Sequence, residues 1–82
     1  MVTLTVYSRP GCHLCDDMMA VIERVRHLAP FTVEVIDIST DADLEARYGL
    51  EIPVLLVNGK KAAKYRLSDA ELTRILLGRA GG

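Results

Sequence analysis

The chain has 82 residues, half of them hydrophobic and 26% charged, which suits one small soluble domain and excludes a large multi-domain enzyme. Ten basic and eleven acidic residues leave a formal charge of -1, so no global positive field gathers nucleic acid or an anionic membrane. A domain this short buries only about 60% of its unfolded surface, which gives weight to its two cysteines, Cys12 and Cys15.

The first strand is read at once, because Val2-Thr3-Leu4-Thr5-Val6 alternates directly after Met1. With no basic stretch before it, no secretory leader is expected, and no apolar run approaches the roughly 20 residues that span a membrane. A cytoplasmic, monomeric protein is the expectation. In a reducing compartment a close cysteine pair serves redox chemistry or metal binding more often than static crosslinking.

The strand ends in Ser8-Arg9-Pro10-Gly11, a turn signal, and a helix follows with Leu14, Met18, Val21, Ile22, Val25 and Leu28 at helical spacing. Pro30 closes it. Phe31 to Ile38 is rich in β-branched residues and forms the second strand, with Phe31, Val33, Val35 and Asp37 on one face. Ser39-Thr40-Asp41 supplies N-cap oxygens for a short helix to Tyr48, where Gly49 is expected as a left-handed C-terminal residue.

Pro53 opens the apolar run Val54-Leu55-Leu56-Val57, and Asn58-Gly59 turns it into a return strand, Lys60 to Tyr65. Ser68-Asp69-Ala70-Glu71 is a capping box, with Leu67 and Leu72 spaced as a hydrophobic staple. The last helix is expected to stop near Gly78, giving a domain over 1–78 and a flexible tail over 79–82. A helix between the first two strands calls for a right-handed crossover and a parallel pair, while the hairpin is antiparallel. The fold class is therefore α/β, β-α-β-α-β-β-α, a four-stranded mixed sheet with helices on both faces.

Cys12-His13-Leu14-Cys15 sits where the first strand hands over to the first helix. Free N–H groups and the positive end of the helix dipole stabilise a thiolate in that first turn. Cys12 is the expected nucleophile. Cys15 lies one turn further on, roughly 5 Å away by helix geometry, within reach of a disulfide. His13 and Arg9 favour a thiolate if they approach it, whereas Asp16 and Asp17 oppose it. All three of His13, Asp16 and Asp17 also have a plain reading, as solvated groups in the first turn of a helix.

The competing reading is a metal or iron–sulfur centre. Such centres usually take four ligands, and Cys12 and Cys15 supply two. His27 is about 18 Å further along a straight helix and cannot join them. His13, an acidic neighbour, an outside thiol or a second subunit would have to. Pro53, at the entrance of a buried strand, marks a special bond or an ordinary strand start. A cis bond would leave the Ile52 backbone open to an extended substrate.

Tyr7-Ser8-Arg9-Pro10-Gly11-Cys12-His13-Leu14-Cys15 and Ile52-Pro53-Val54-Leu55-Leu56-Val57-Asn58-Gly59 together resemble the glutaredoxin-like members of the thioredoxin-fold superfamily, across nearly the whole chain. The resemblance implies a thiol–disulfide oxidoreductase with no bound cofactor beyond a redox-active Cys12–Cys15 disulfide. Cys12 would attack, Cys15 resolve and Pro53 shape the substrate site. Substrates would be protein or small-molecule disulfides, and the reductant glutathione or a thioredoxin-reductase-type enzyme.

Arg9 matches a basic residue that meets a glutathione carboxylate in that family, and Ser68 and Asp69 match the other end of the tripeptide. The sequence departs from the family in the His-Leu dipeptide between the cysteines. It also carries Ala62-Ala63-Lys64-Tyr65 where a Gly-Gly pair is usual. Lys60, Lys61, Lys64 and Arg66 guard an edge strand or receive an acidic partner. Arg79-Ala80-Gly81-Gly82 allows a remote alternative, a sulfur carrier activated at its di-glycine end; against it stand the capped helix before the tail and the cysteine pair.

Overall fold

The computed structural model describes residues 2–28 and 30–81. The elements are β1 (Val2–Ser8), α1 (His13–Val25), β2 (Phe31–Asp37), α2 (Ala42–Tyr48), β3 (Val54–Val57), β4 (Lys60–Lys64) and α3 (Asp69–Gly81), with 3-10 turns at Arg26–Leu28 and Ile38–Thr40. Sheet order is β2-β1-β3-β4. β1 runs parallel to β2 from Val2↔Phe31 to Ser8↔Asp37, and antiparallel to β3 from Leu4↔Val57 to Tyr7↔Val54. This is the mixed sheet the element order calls for.

Alternation along β1 decides the two layers. Val2, Leu4 and Val6 point into a core with Met18, Val21, Ile22 and Val25 of α1, Leu55 and Val57 of β3, and Leu72 and Leu76 of α3. On the opposite face Tyr7 stacks on Tyr48 of α2 with ring centroids 4.7 Å apart. β3 is apolar throughout because it is central, and Val54, Leu55 and Val57 are fully buried. β2 is an edge strand, so only Phe31 of its expected apolar face is buried and Val35 is half exposed.

The local signals are realised in detail. Asn58 and Gly59 both take positive φ, 52° and 84°, as a two-residue type I′ hairpin requires. Asp41 caps α2 by accepting from the amides of Asp43 and Leu44. Ser68 Oγ accepts the Glu71 amide at 3.1 Å while Glu71 accepts the Ser68 amide at 3.2 Å, a reciprocal capping box. Its staple partners Leu67 and Leu72 are both buried.

Two expectations need correction. Gly49 is right-handed, with φ -55°, so a left-handed backbone is not what calls for glycine here. The last helix continues through Gly81, because glycine at 78 weakens a helix without ending it. The tail boundary after Gly78 is thus not a break in the helix, and Gly82 itself lies outside the described residues.

Ile22 is wholly buried and Leu50 is 94% exposed. Ile22→Ala should therefore destabilise the fold by about 2–5 kcal/mol, and Leu50→Ala by under ~0.5 kcal/mol, in urea unfolding. Equal losses would contradict the assigned core.

Candidate active site

β1 ends at Ser8, and Gly11, at φ 82°, turns the chain into α1. Cys12 is the N-cap. Its amide donates to the Arg9 carbonyl at 3.2 Å, and its Sγ accepts the amide of Cys15 at 3.3 Å. The sulfur therefore takes the place of the Ser, Thr or Asp oxygen that usually satisfies a first-turn amide. Cys12 is half-buried and Cys15 buried, and both are free thiols.

The two sulfurs differ sharply. Burial pushes the Cys15 thiol up to about 12, assisted by its hydrogen bond to Cys12 and by the charges of Cys12 and Asp16; a hydrogen bond with the Arg9 backbone acts the other way. Cys15 thus holds its proton at neutral pH while Cys12 sits at the mouth of the helix end.

The other expected residues are gathered at the same end of the sheet, with different roles. The Ile52–Pro53 peptide is cis. The register Tyr7↔Val54 brings Pro53 to the end of the sheet where β1 passes into the Cys12 loop. Ile52 donates its N–H to the Tyr48 carbonyl at 3.1 Å, so its backbone is only partly open; no donor to its carbonyl is found among the described residues. His13 opens α1 and is exposed.

Arg9 forms an ion pair with Glu45 of α2. Asp69 takes both Nε and Nη2 of Arg24, at 2.9 and 2.7 Å, which holds its carboxyl below the usual range. Ser68 is spent in the capping box. The three residues matched to glutathione contacts therefore all have internal partners.

Sequence reading missed Tyr65. Its φ is 67°, and the Arg66 amide donates to the Lys64 carbonyl at 2.8 Å, closing a γ-turn on a non-glycine residue. Such a conformation costs on the order of 1–3 kcal/mol and persists only when its surroundings fix it. Here the Tyr65 amide donates to the Pro53 carbonyl at 2.9 Å and its hydroxyl to the Leu50 carbonyl at 3.2 Å. Tyr65 then forms one wall of a cleft of about 410 Å³ with Leu14, Met18, Leu67 and Ser68. The departure from Gly-Gly in this stretch was the available signal.

The basic strand also has internal partners. Lys61 pairs with Glu51, and the Lys64 ammonium lies 5.4 Å from the centre of the Tyr65 ring. Among the described residues no group of three or more His, Cys, Asp and Glu side chains is placed to hold a metal, and no helix is long and apolar enough to cross a membrane. A centre on Cys12 and Cys15 would need ligands from outside these residues.

The family model for the glutaredoxin-like domain (DUF836) matches residues 3–77. The chain belongs to this glutaredoxin-like family. Among solved structures, it is similar to the structural-genomics target protein XcR50 from X. campestris, at 32% identity and a TM-score of 0.76, over 92% of this chain and 96% of that one. It is similar to protein Ne2328 from Nitrosomonas europaea at 32% identity and a TM-score of 0.79, over 92% and 91%. A mutant thioredoxin from Halobacterium salinarum, at 20% identity and a TM-score of 0.69 over 94% and 73%, shares the fold. No curated protein matches the chain. The glutaredoxin-like domain thus has the thioredoxin-like α/β fold, with its Cys12–Cys15 pair at the strand-to-helix junction.

The Cys15 thiol ties stability to alkaline pH. In the unfolded chain it ionises near 9.0 and in the folded chain near 12, so the stability attached to the protonated thiol is intact below pH 9 and lost as pH rises toward 12. Relative to Cys15→Ala, the wild type should lose stability across that window in thermal melts under reductant. A difference that stays constant with pH would contradict the burial.

Proposed function

We propose that this glutaredoxin-like protein is a thiol–disulfide oxidoreductase in which Cys12 attacks and Cys15 resolves. The observation that carries the reading is the asymmetry of the pair: an accessible sulfur receiving an N–H at a helix N-terminus, beside a buried one that keeps its proton.

In the first step the Cys12 thiolate attacks one sulfur of a substrate disulfide, forming a mixed disulfide and expelling the other substrate thiolate, which takes a proton. That bond removes the charge of Cys12 and its acceptor role, two of the causes that keep Cys15 protonated; burial and Asp16 remain, opposed by the Arg9 backbone. Cys15 then loses its proton to solvent and attacks the Cys12 sulfur, and the second substrate thiolate leaves and is protonated. The dithiol has lost two electrons and two protons, and the substrate disulfide has gained them. A thiol reductant, either glutathione or a thioredoxin-reductase-type enzyme, restores the dithiol.

Protein disulfides suit the site better than bound glutathione. Arg9, Ser68 and Asp69 are engaged internally, whereas the Ile52 carbonyl offers an extended chain a backbone acceptor and the Tyr65 cleft offers it a mixed wall, with Leu14 and Tyr65 beside the charges of Asp17, Arg66 and Glu71.

Cys12→Ser should abolish reduction of a small aromatic disulfide. Cys15→Ser should keep the first step and accumulate protein carrying one substrate thiol, seen as a mass gain. Equal, undiminished activity in both variants would overturn the assignment.

A further inference from the structure

We propose that Arg9, Glu45 and Gly49 form a clamp that positions the cysteine loop against α2 and thereby sets how readily the Cys12–Cys15 disulfide closes. The inference rests on the oxidoreductase reading and adds to it a part of the molecule that carries no reacting atom.

The backbone of Arg9 serves both cysteines. Its carbonyl accepts the Cys12 amide at 3.2 Å, and its backbone hydrogen bond with the Cys15 thiol opposes the effect of burial there. The side chain leaves in the other direction, to Glu45, thirty-six residues away. Glu45 Oε1 takes the guanidinium, while Oε2 is buried with no hydrogen-bond partner. Arg9 is thus the carboxylate's only side-chain partner among the described residues, and with both side chains about two-fifths exposed, 38% and 40%, its removal would leave Oε1 to water and Oε2 buried without a partner.

Gly49 explains itself at this point. Its right-handed backbone would accept any residue, but a Cβ there would lie 2.5 Å from the Glu45 carbonyl oxygen and 3.1 Å from the Arg9 guanidinium. The glycine keeps the Glu45 carbonyl, and beside it the ion pair, clear of a side chain. α2 is itself a fixed post, because Tyr48 stacks on Tyr7 of β1 and its carbonyl receives the Ile52 amide.

A loop held in this way enters disulfide closure already ordered. Released from α2, it would have to be ordered at the moment Cys15 meets the Cys12 sulfur. Closure becomes less favourable and mixed disulfides last longer. The same geometry keeps the guanidinium of Arg9 from meeting a carboxylate of a small-molecule thiol.

The test is a double-mutant cycle. Wild type, Arg9→Ala, Glu45→Ala and the double variant are equilibrated in dithiothreitol redox buffers, and the closed fraction is read by mass after alkylation, with thermal melts in parallel. Each single variant should lower the closure constant roughly two- to tenfold, and the double variant no further than either single one. Arg9→Lys should recover part of the loss. Gly49→Ala, which keeps both charges, should reproduce it. Lower melting temperatures with an unchanged closure constant would show a purely stabilising contact and overturn the proposal, as would additive effects of the two single variants. A wild type that closes no Cys12–Cys15 disulfide in any buffer would instead overturn the oxidoreductase reading, and the clamp with it.

Discussion

The amides in the first turn of α1 have no helical carbonyl to bond, and the need to satisfy them at the end of a buried strand is the constraint on which the site depends. β1 lies between β2 and β3 with Leu4 and Val6 wholly buried, so its end is fixed by the sheet and the core. Within the few residues of turn that follow, Cys12 arrives as the cap and its sulfur accepts the Cys15 amide. A hydrogen bond to an ionised acceptor is roughly twice as strong as one to a neutral acceptor. The demand of the fold for an acceptor therefore falls on the same atom that the proposed mechanism uses as its nucleophile.

The difference between the two cysteines follows from helix geometry. The residue at the cap faces outward, and the residue three positions later turns toward the core beside Met18 and Ile22. Identical side chains thereby receive opposite environments, one partly exposed to solvent and the other buried and protonated. Around them Tyr65 holds a conformation uncommon for a tyrosine, tied to the Pro53 and Leu50 carbonyls, and gives the cleft beside Leu14 a fixed wall. This aromatic wall stands in the stretch Ala62-Ala63-Lys64-Tyr65, which departs from the Gly-Gly pair of the resemblance drawn from the sequence.

Features governed by neighbours in sequence were legible before the structure. Asn58-Gly59, the Ser68–Glu71 capping box, the Asp41 cap and the Cys12–Cys15 spacing are each settled within a few residues, and each appears as expected. What sequence reading missed depends on distant partners. Gly49 reads as a left-handed helix end until Arg9, forty residues earlier, is seen lying against it. Glu45 carries no signal in its own stretch of sequence, and its role as the partner of Arg9 depends on a residue thirty-six positions away. Val35 fits an apolar alternation, and only the position of β2 at the sheet edge explains its exposure.

The central claim is that one sulfur is presented and the other withheld. Limited alkylation of the reduced, native protein at neutral pH, with the modified sites located by peptide mass analysis, tests this directly. Cys12 should be modified first, with Cys15 remaining protected until the protein is unfolded. Comparable modification of both cysteines in the native protein, or earlier modification of Cys15, would contradict the account.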